Sequence, residues 1–529
     1  MNRNDLGKPM RQVSTRIGRI RVAPLSAALA LGLGLSALPM TSALASALDV
    51  SMPATWKAGD GSGVAALMHS LHDVAAVRKR AGVAHVAATL QVSNCADDSS
   101  PGSLREVVAA AGEGDTLDLS QLQCSVITLS QGAIPVMLDT LTLLGPGADR
   151  LAIDGAGLDR VFVHYGYDTL VVQGLTVRHG LNQVSGYHVA GGACIVGNGY
   201  VTLDHSVVSG CTSIGEGAYG GGILARGVTL YSSTLSGNVA LGSHPNTFTA
   251  AYGGGAMAYR GTAALYDSTV SGNRAAHELT DINGSYCSGG GIFADSGGYA
   301  SSSTISQNYS YGTGGGIASH AGFFVSQSTI SGNTAHGKNG GGMFVRLFDS
   351  MSINNTTITQ NTAVRGGGIY LAGLPQGVVL RSTLVANNAA TAGADIAAQN
   401  ALALSGTTNL VRAVDNASLP GDTLNANPAL LPLADNGGPT LTHALSVASP
   451  ALDAGSNVLA FTFDQRGSGF PRALGAAADI GAFEGALAAP DPVAVGMLSS
   501  WVMALLAAML GGIGVQEFTT KMRNRARTS

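Results

Sequence analysis

The sequence predicts an all-β chain that forms a right-handed single-stranded parallel β-helix, with a helical cap at its N-terminal end and a cap domain at its C-terminal end. One phrase recurs between residues 191 and 413 at intervals of about 25 residues or more, a period typical of solenoids. Apolar residues within each copy recur at every second position, which is the strand period. Glycine supplies 74 of 529 residues and only 11% are charged, as stacked strands with tight turns require.

Each copy of the repeat opens on a glycine cluster and closes on a Ser/Thr-rich strand that ends in Asn. Glycine allows a sharp corner because it takes positive φ readily. An Asn amide repeated at one corner can donate to one neighbour and accept from the other, which predicts a ladder of amides. The alternative is a set of separate surface turn residues. The predicted ladder residues are Asn238, Asn273, Asn308, Asn333, Asn361 and Asn387.

Residues 1–45 have the three parts of a secretory signal peptide: a basic start, an apolar run over 22–40 and small residues at the cleavage site. An uncleaved membrane anchor is the alternative. Residues 46–91 are interpreted as a linker without chemistry. Export would bring the mature protein into an oxidising compartment, where disulfides form and persist.

Residues 92–190 are predicted to hold the N-terminal cap and the first coils. Ser103 with Glu106 three residues later is a capping box, which predicts a short helix over the open end of the solenoid. Cys95 and Cys124 flank this helix, and a disulfide between them is expected to contribute about 3 kcal/mol. The pairing of the other cysteines stays open at this point: Cys194, Cys211 and Cys287.

Two stretches resemble known bacterial surface proteins. The sequence GSLRE at 102–106 is similar to the N-terminal region of proteins with the CSLREA motif, with Gly102 in place of the first Cys. NGGPT at 436–440 and DIGAFE at 479–484 resemble the choice-of-anchor Q domain. That resemblance implies that residues 414–485 are a non-catalytic cap that shields the last coil. Four charged residues in it are interpreted as a structural ion-pair network, with an acid/base cluster as the alternative: Asp464, Arg466, Asp479 and Glu484.

Residues 486–529 contain a long apolar run followed by basic residues. Such a run can span a bilayer, and the basic flank would stay in the cytoplasm. LSSW at 498–501 resembles the IPTL-type C-terminal sorting signals of Gram-negative bacteria, with Gly496 where that motif has proline. Processing by a sorting enzyme and permanent anchorage both remain open. Either way, we expect the β-helix at the cell surface, in the outer envelope or outside a Gram-negative cell.

Composition and charge restrict the possible functions. A net charge of −4 and the absence of a basic run in the repeats exclude nucleic-acid binding. The predicted function is adhesion or binding to envelope or matrix glycans by a non-catalytic monomer. A polysaccharide lyase or hydrolase of pectin-lyase-like fold is the alternative, by analogy of fold alone. No cofactor or metal is expected, and Ca²⁺ would enter only with the lyase. The acids Asp204, Asp267 and Asp295 do not converge in the repeat columns.

Three consecutive copies carry long insertions after the terminal residue of the ladder, at 212–219, 239–252 and 274–288. Stacking in register should bring these insertions together at one corner. Loops on a rigid scaffold often carry binding sites, and exposed rings suit stacking on sugars. The alternative is that the rings pack inward and hold their own loops. The predicted glycan-binding residues are Tyr219, His244, Phe248, Tyr252, His277 and Tyr286.

Overall fold

The computed structural model describes residues 85–185, 188–243, 249–277, 286–347, 350–373 and 377–485. The predicted signal peptide, nearly all of the predicted linker and the C-terminal segment 486–529 lie outside these ranges. By compactness the chain divides into residues 1–41 and 42–529, and every described residue belongs to the second unit. The described chain winds through short strands that pair in parallel with strands one circuit earlier and one circuit later. This topology confirms the predicted parallel β-helix.

Three long parallel sheets, named A, B and C, form the walls, and each coil visits them in that order. Sheet A consists of Thr89–Gln91, Thr116–Asp118, Leu141–Leu144, Thr169–Gln173, Tyr200–Asp204, Gly227–Tyr231, Ala263–Tyr266, Gly298–Ser301, Phe323–Ser326, Ser350–Asn354, Gly377–Arg381 and Ser405–Thr407. Sheet B consists of Val126–Thr128, Ala152–Asp154, Thr176–Arg178, Val207–Ser209, Thr234–Ser236, Thr269–Ser271, Thr304–Ser306, Thr329–Ser331, Thr357–Thr359, Leu384–Ala386 and Leu410–Val411. Sheet C consists of Ile134–Val136, Phe162–His164, Ile195–Gly197, Ile223–Ala225, Ala256–Ala258, Ile292–Ala294, Ile317–Ser319, Met343–Leu347, Ile369–Gly373, Ile396–Ala403 and Val414–Ser418.

Two shorter parallel sheets, D and E, are inserted between sheets B and C in chain order. Sheet D consists of Leu181–Gln183, Thr212–Gly215, Val239–Gly242, Arg274–His277, Tyr309–Ser310 and Thr334–Ala335. Sheet E consists of Val189–Gly191, Gly217–Tyr219, Ala250–Tyr252 and Tyr286–Ser288. The described residues also include the helix α1, Leu104–Ala110, and an antiparallel pair of strands, Leu430–Ala434 and Thr442–Leu445.

The inward side chains of sheets A, B and C fill the interior with one apolar stack. Leu230, Leu235 and Ile223, one from each wall of neighbouring coils, have no exposed surface. Each such side chain lies against its counterpart one coil away, because the strands pair in register. Burial of apolar area, at about 25 cal/mol per Å², therefore accumulates only as coils stack.

Helix α1 closes the N-terminal end of this stack. Its side chains Leu104 and Val107 belong to the same core cluster. The Ser103 hydroxyl accepts a hydrogen bond from the Glu106 amide at 3.3 Å, and the Glu106 carboxylate accepts one from the Gly102 amide at 3.2 Å. The Ser103 hydroxyl thereby satisfies one orphan amide of the first turn, as in a capping box, whereas the Glu106 carboxylate reaches the amide one residue before the cap, because the Ser103 amide donates to the Ser100 carbonyl.

The glycine clusters and the Asn residues form a single corner. In the cluster at 314–316, Gly314 has φ of +63°, which favours glycine. A Cβ on Gly315 would lie 2.4 Å from the Gly341 carbonyl oxygen of the next coil, and one on Gly316 would lie 3.0 Å from the Asn333 amide carbon. The repeated Gly-Gly-Gly therefore reflects a close approach of the backbone to the adjacent coil and to the Asn column.

The Asn side chains form a buried ladder that runs in one direction. The Asn273 amide nitrogen Nδ2 donates to Asn308 Oδ1 at 2.9 Å and to the Leu235 carbonyl, and Asn308 repeats the pattern with Asn333. The final acceptor is the Asp395 carboxylate, which Asn388 Nδ2 reaches at 3.0 Å. The rungs are Asn238, Asn273, Asn308, Asn333, Asn361 and Asn388.

The assignment of Asn387 to this ladder is wrong by one residue. Asn361 donates to Asn388, whereas Asn387 is exposed and has φ of +59°. The inward residue of this copy is accordingly Val385, which pairs with Ile358, and Leu384 points outward. Leu384 is nevertheless fully buried because it packs under the C-terminal segment against Ala451 and other residues. Both faces of this strand are apolar, so alternation could not determine the register.

The C-terminal segment 420–485 covers the outer face of sheet B in addition to reaching the last coil. Its hydrogen bonds to the coils run from Ser302, which accepts from Thr440, to Ser382, which bonds to Ser456. Gln465 sits centrally: it donates to Thr304 Oγ1 at 2.9 Å and accepts from Thr329 Oγ1 at 2.6 Å. The expected shield over the last coil is thus part of a longer side cover. Polar residues of this segment form hydrogen bonds with the outward Thr and Ser hydroxyls of the sheet B strands.

Two disulfides join four of the five cysteines. Cys95 is bonded to Cys124, and Cys194 is bonded to Cys211. Cys287 is a buried thiol in a small apolar cluster between sheets D and E. Burial raises the pKa of the Cys287 thiol to about 12.

Candidate functional site

The insertions predicted to carry ligand-binding residues fold into sheets D and E. Tyr219 is buried and Tyr252 is half-buried; their rings stack at 5.6 Å. Tyr252 also meets the edge of Phe293, an outward residue of sheet C, at 4.9 Å. These rings therefore form an apolar layer between sheets E and C. The inward-packing alternative describes Tyr219 and Tyr252 better than an exposed patch does.

The remaining residues of the predicted patch are dispersed. His277 is buried in sheet D, with its ring edge-on to Tyr311 at a centroid distance of 4.0 Å. Tyr286 is 47% exposed, and the Lys338 ammonium lies 5.4 Å from its ring centroid. His244 and Phe248 lie outside the described residues. Of the predicted set, the structure brings Tyr219 and Tyr252 into contact and leaves Tyr286 as an exposed ring.

A second group of rings, absent from the sequence-based prediction, lies exposed on the outer face of sheet A. We name Tyr231, Tyr266, Tyr299 and Phe324 the aromatic row. Tyr231 is 46% exposed and Tyr299 is 48% exposed, while Leu230, one residue before Tyr231, is fully buried. The strand alternation thus aims these rings at solvent.

The aromatic row consists of two stacked pairs in successive coils. The Tyr231 and Tyr266 rings are 5.1 Å apart with an interplanar angle of 10°, and the Tyr299 and Phe324 rings are 5.5 Å apart with an angle of 16°. Stacking holds each ring upright and parallel to its neighbour, so the row is ordered without being covered. Tyr200, 40% exposed, lies on the same face one coil earlier, with the Arg226 guanidinium 5.6 Å from its ring.

A shallow groove of about 250 Å³ runs beside the second pair. Glycines and short polar side chains form its floor and walls, so the rings of Tyr299 and Phe324 are its largest features. The groove is lined by Thr262, Ser296, Gly298, Tyr299, Ala321, Gly322, Phe324 and Ser350. None of these side chains is charged.

The sequence did contain a signal for the aromatic row. Tyr231 and Tyr266 directly follow the inward residues Leu230 and Leu265, so the columns place them outward. Insertion length favours sheets D and E instead, and the sequence-based prediction therefore lies there. The outward columns of a regular array are equally informative, because every other residue of a strand faces solvent or a covering layer.

Charged residues in the described chain form local pairs that hold the fold. Arg178 Nε and His179 Nδ1, which have no acid nearby in sequence, both contact Asp154 of the preceding coil, at 2.8 Å and 3.1 Å. Burial alone would raise the pKa of Asp154, but hydrogen bonds from the Ala156 amide, Arg178 and His179 lower it. Among the described residues, no three or more His, Cys, Asp or Glu side chains are grouped so as to hold a metal ion.

The charged cluster of the C-terminal segment is buried inside that segment. Arg466 Nη2 lies 2.6 Å from Asp464 Oδ2, and Arg472 Nη2 lies 3.4 Å from Glu484 Oε2. Glu484 also accepts from the amides of Leu474 and Asp479 at 2.9 Å each. Burial raises the pKa of Glu484 to about 7. The cluster ties together the loops that form the cover on sheet B.

No helix in the described ranges has the length and apolar character needed to cross a membrane. The segment for which the sequence predicts a span, 486–529, lies beyond those ranges.

Comparison with known proteins bears on the fold. Residues 268–416 match a family described as a right handed beta helix region. No curated protein matches the chain. The solved structure reported as "Crystal structure of pectate lyase Pel9A" resembles this one with a TM-score of 0.40 and 13% sequence identity, over 76% of this chain and 97% of that chain. The family match and the strand topology together identify the coils as a right-handed parallel β-helix.

Proposed function

We propose that this protein is an exported β-helix that binds glycan through the aromatic row, as an adhesive or matrix component of the cell envelope. The observation that carries the proposal is a set of four ordered rings on one sheet face, of which Tyr231 and Tyr299 are exposed and Tyr266 and Phe324 are half-buried. A soluble protein gains little from leaving large rings in water, and exposed apolar patches usually mark interaction sites. Nothing in the described chain covers this face, whereas the outer face of sheet B is covered over several coils.

The chemistry of the row fits sugar rings. The two rings of each pair turn their faces to one another, so a sugar that lies on the row meets their edges and the hydroxyls of Tyr231, Tyr266 and Tyr299. The hydroxyls around the edge of the sugar can meet the Ser and Thr side chains beside the row, as in the groove next to Tyr299. A rigid scaffold also limits the entropy lost on binding.

The export route is part of the proposal. The basic and apolar start of the chain supports secretion through a signal peptide, and the C-terminal apolar run supports either sorting or anchorage. The two disulfides are compatible with an oxidising compartment. Glycans of the cell's own envelope or of a host surface are the expected partners.

Binding is tested with a matched pair of variants of the mature chain. Tyr231→Ala with Tyr266→Ala removes one stacked pair, and Tyr286→Ala removes an equally exposed ring outside the row. Retention on insoluble polysaccharides and on cell-envelope preparations should fall at least about tenfold for the double variant, because stacked rings contribute of the order of 1 kcal/mol each. The Tyr286 variant should bind like the parent.

The opposite pattern, loss of binding with Tyr286→Ala alone, would move the site to sheets D and E. The same incubations with polysaccharide also distinguish binding from the enzyme alternative. If reducing ends or unsaturated uronates accumulate in the supernatant over time, with or without added Ca²⁺, the protein is a hydrolase or lyase and the proposal is wrong. A stable amount of bound protein with intact polymer supports it.

A further inference from the structure

We infer that the ligand of the aromatic row is a neutral, extended glycan chain that lies along the axis of the β-helix. This inference rests on the proposed function and concerns the class and direction of the ligand. Direction follows from the register of the strands, and class follows from the charges around the row.

The row advances one ring per coil. Tyr231 is the strand partner of Tyr266, and Tyr299 is the strand partner of Phe324. Coils are ~4.8 Å apart, so the four rings extend over about 14 Å along the axis. A glycan that follows the axis can meet the rings of successive coils, whereas one that crosses the coils would meet at most the rings of a single coil.

The row also takes one lateral step. Tyr266 pairs with Ser301, and Tyr299 pairs with Ala264, so the second pair of rings is displaced by two residues along the strand. At about 3.3 Å per residue the displacement is roughly 7 Å. The groove beside Tyr299 and Phe324 lies on this second track. A straight glycan chain would contact the rings of one pair only, whereas a glycan chain that twists or shifts sideways along its length would contact both pairs.

The immediate surroundings of the row carry no cation to neutralise an acidic sugar. One outward neighbour in these columns is charged: Asp204, the strand partner of Tyr231, whose carboxylate is paired with His205. The other outward neighbours are uncharged: Thr229, Ala264, Ser301, Ser326 and Ser352. Carboxylates stand at the turn that leads to sheet B, where Asp267 directly follows Tyr266 and is exposed. Recognition of uronates depends on cationic or metal partners. An acidic polymer on the row would meet a carboxylate and no compensating charge on the floor of the groove.

Arginines occur at the opposite edge of sheet A. The Arg226 guanidinium is held over the Tyr200 ring, and Arg260 is exposed at the next turn. Both precede the strands of the row, at the turn from sheet C, so they flank the platform. Their position suits hydrogen bonding to sugar hydroxyls at one margin of the ligand.

The test compares neutral with acidic polymers at low and high salt. The probes are insoluble cellulose, chitin, β-1,3-glucan and mannan on one side, and polygalacturonate and alginate gels on the other. The parent protein should bind at least one neutral polymer, with affinity changing less than about twofold when NaCl rises from low to physiological and higher ionic strength, because no ion pair is made. Tyr299→Ala should reduce that binding about tenfold, and Tyr299→Phe, which keeps the ring, should restore most of it.

Each result decides one of the two proposals. Binding to the acidic gels alone, weakened strongly by salt, overturns a neutral ligand but leaves glycan binding in place. Binding to neither class contradicts the proposed function itself. Equal binding of Tyr299→Ala and the parent to a neutral polymer shows that the row is not the site and overturns the inference. Circular dichroism and thermal unfolding of each variant verify that the exposed substitutions leave the fold intact.

Discussion

Asn387 and Asn388 are neighbours in sequence with unrelated surroundings. Asn388 accepts from Asn361 and donates to Asp395 in the buried ladder, whereas Asn387 is exposed in the left-handed region. A buried amide that loses its partners leaves unsatisfied groups on both adjacent coils, and each such group costs about 1–3 kcal/mol. The left-handed residue, in contrast, needs only a backbone that tolerates positive φ.

The same substitution at both positions should therefore have different effects. Asn388→Gly is expected to lower the free energy of unfolding by about 3 kcal/mol or more, since it removes several buried hydrogen bonds. Asn387→Gly should change it by less than about 0.5 kcal/mol, because glycine accepts positive φ and the site is exposed. Urea unfolding of the two variants measures the difference. Equal losses would show that the ladder does not run through Asn388.

Glu484 gives the C-terminal segment a pH response. Burial raises its pKa to about 7, from 4.5 in a solvated chain, so between these values the folded state holds a proton that the unfolded state has released. Its contribution to stability is greatest below pH 4.5 and is lost as pH rises through 7. Burial also raises the pKa of Asp479 and of Asp395, which adds a loss of the same sign.

We expect the difference in unfolding free energy between pH 5 and pH 8 to shrink in Glu484→Gln. The Gln side chain does not titrate, so it removes one contribution to the slope and leaves those of Asp479 and Asp395. Denaturant unfolding at several pH values checks this. A slope identical to that of the parent would mean that Glu484 stays ionised throughout in the folded protein.

At the scale of the element, the three-glycine corner is the feature that admits least change. The second glycine of each Gly-Gly-Gly cluster faces the backbone of the adjacent coil, which cannot move without shifting the whole stack. Gly315→Ala would bring a Cβ to 2.4 Å from the Gly341 oxygen. Overpacking of this kind typically costs 1–3 kcal/mol, and about 3 kcal/mol or more is expected where backbone must yield.

Gly337→Ala is the matched control. Gly337 is exposed. The atom nearest to a Cβ added there is the backbone carbonyl oxygen of Tyr311, at 3.3 Å. We expect a change in melting temperature of several degrees for Gly315→Ala and almost none for Gly337→Ala. Similar melting temperatures would mean that the corner relaxes, and the motif would then need another explanation.

The elements also show which features a sequence can and cannot specify. The inward residues Ile330 and Ile358 follow from alternation and repeat spacing, because their outward neighbours are Thr and Ser. The outward position of Leu384 does not, since this residue is itself apolar and packs under the C-terminal segment. The burial of Tyr219 depends on pairing between insertions in neighbouring coils, which no single insertion encodes. Tyr231 could be placed outward, but its exposure depends on which sheet faces are covered.

At the scale of the whole molecule, the reactivity of the cysteines shows whether the coils are folded. Two disulfides lie in the N-terminal coils, and Cys287 is buried between sheets D and E with its pKa raised to about 12 by burial. Since the thiolate is the reactive form, this thiol should not react in the folded protein.

We predict that mass spectrometry of the folded protein under non-reducing conditions finds Cys95–Cys124, Cys194–Cys211 and one free thiol. A thiol reagent should modify Cys287 only over the denaturant range in which the coils unfold. Cys287→Ala, which fits a cluster of alanines, should abolish the signal and leave the unfolding midpoint almost unchanged. Modification well below the midpoint would indicate that sheets D and E open independently of the main coils.

The Asn ladder has terminators that differ from its rungs. It begins at Cys211, whose backbone amide donates to Asn238, and it ends at the Asp395 carboxylate. Every Asn between them offers the same donor and the same acceptor. A whole coil with its Asn can therefore be gained or lost while every remaining side-chain amide keeps its hydrogen-bond partners. The C-terminal segment contacts the coils from Ser302 onward, and a change in coil number there would misplace these contacts. Gain or loss of a coil is therefore expected only before Ser302. Recombination between coding repeats there would change the chain in whole coils, and relatives should accordingly differ in the number of rings displayed on sheet A.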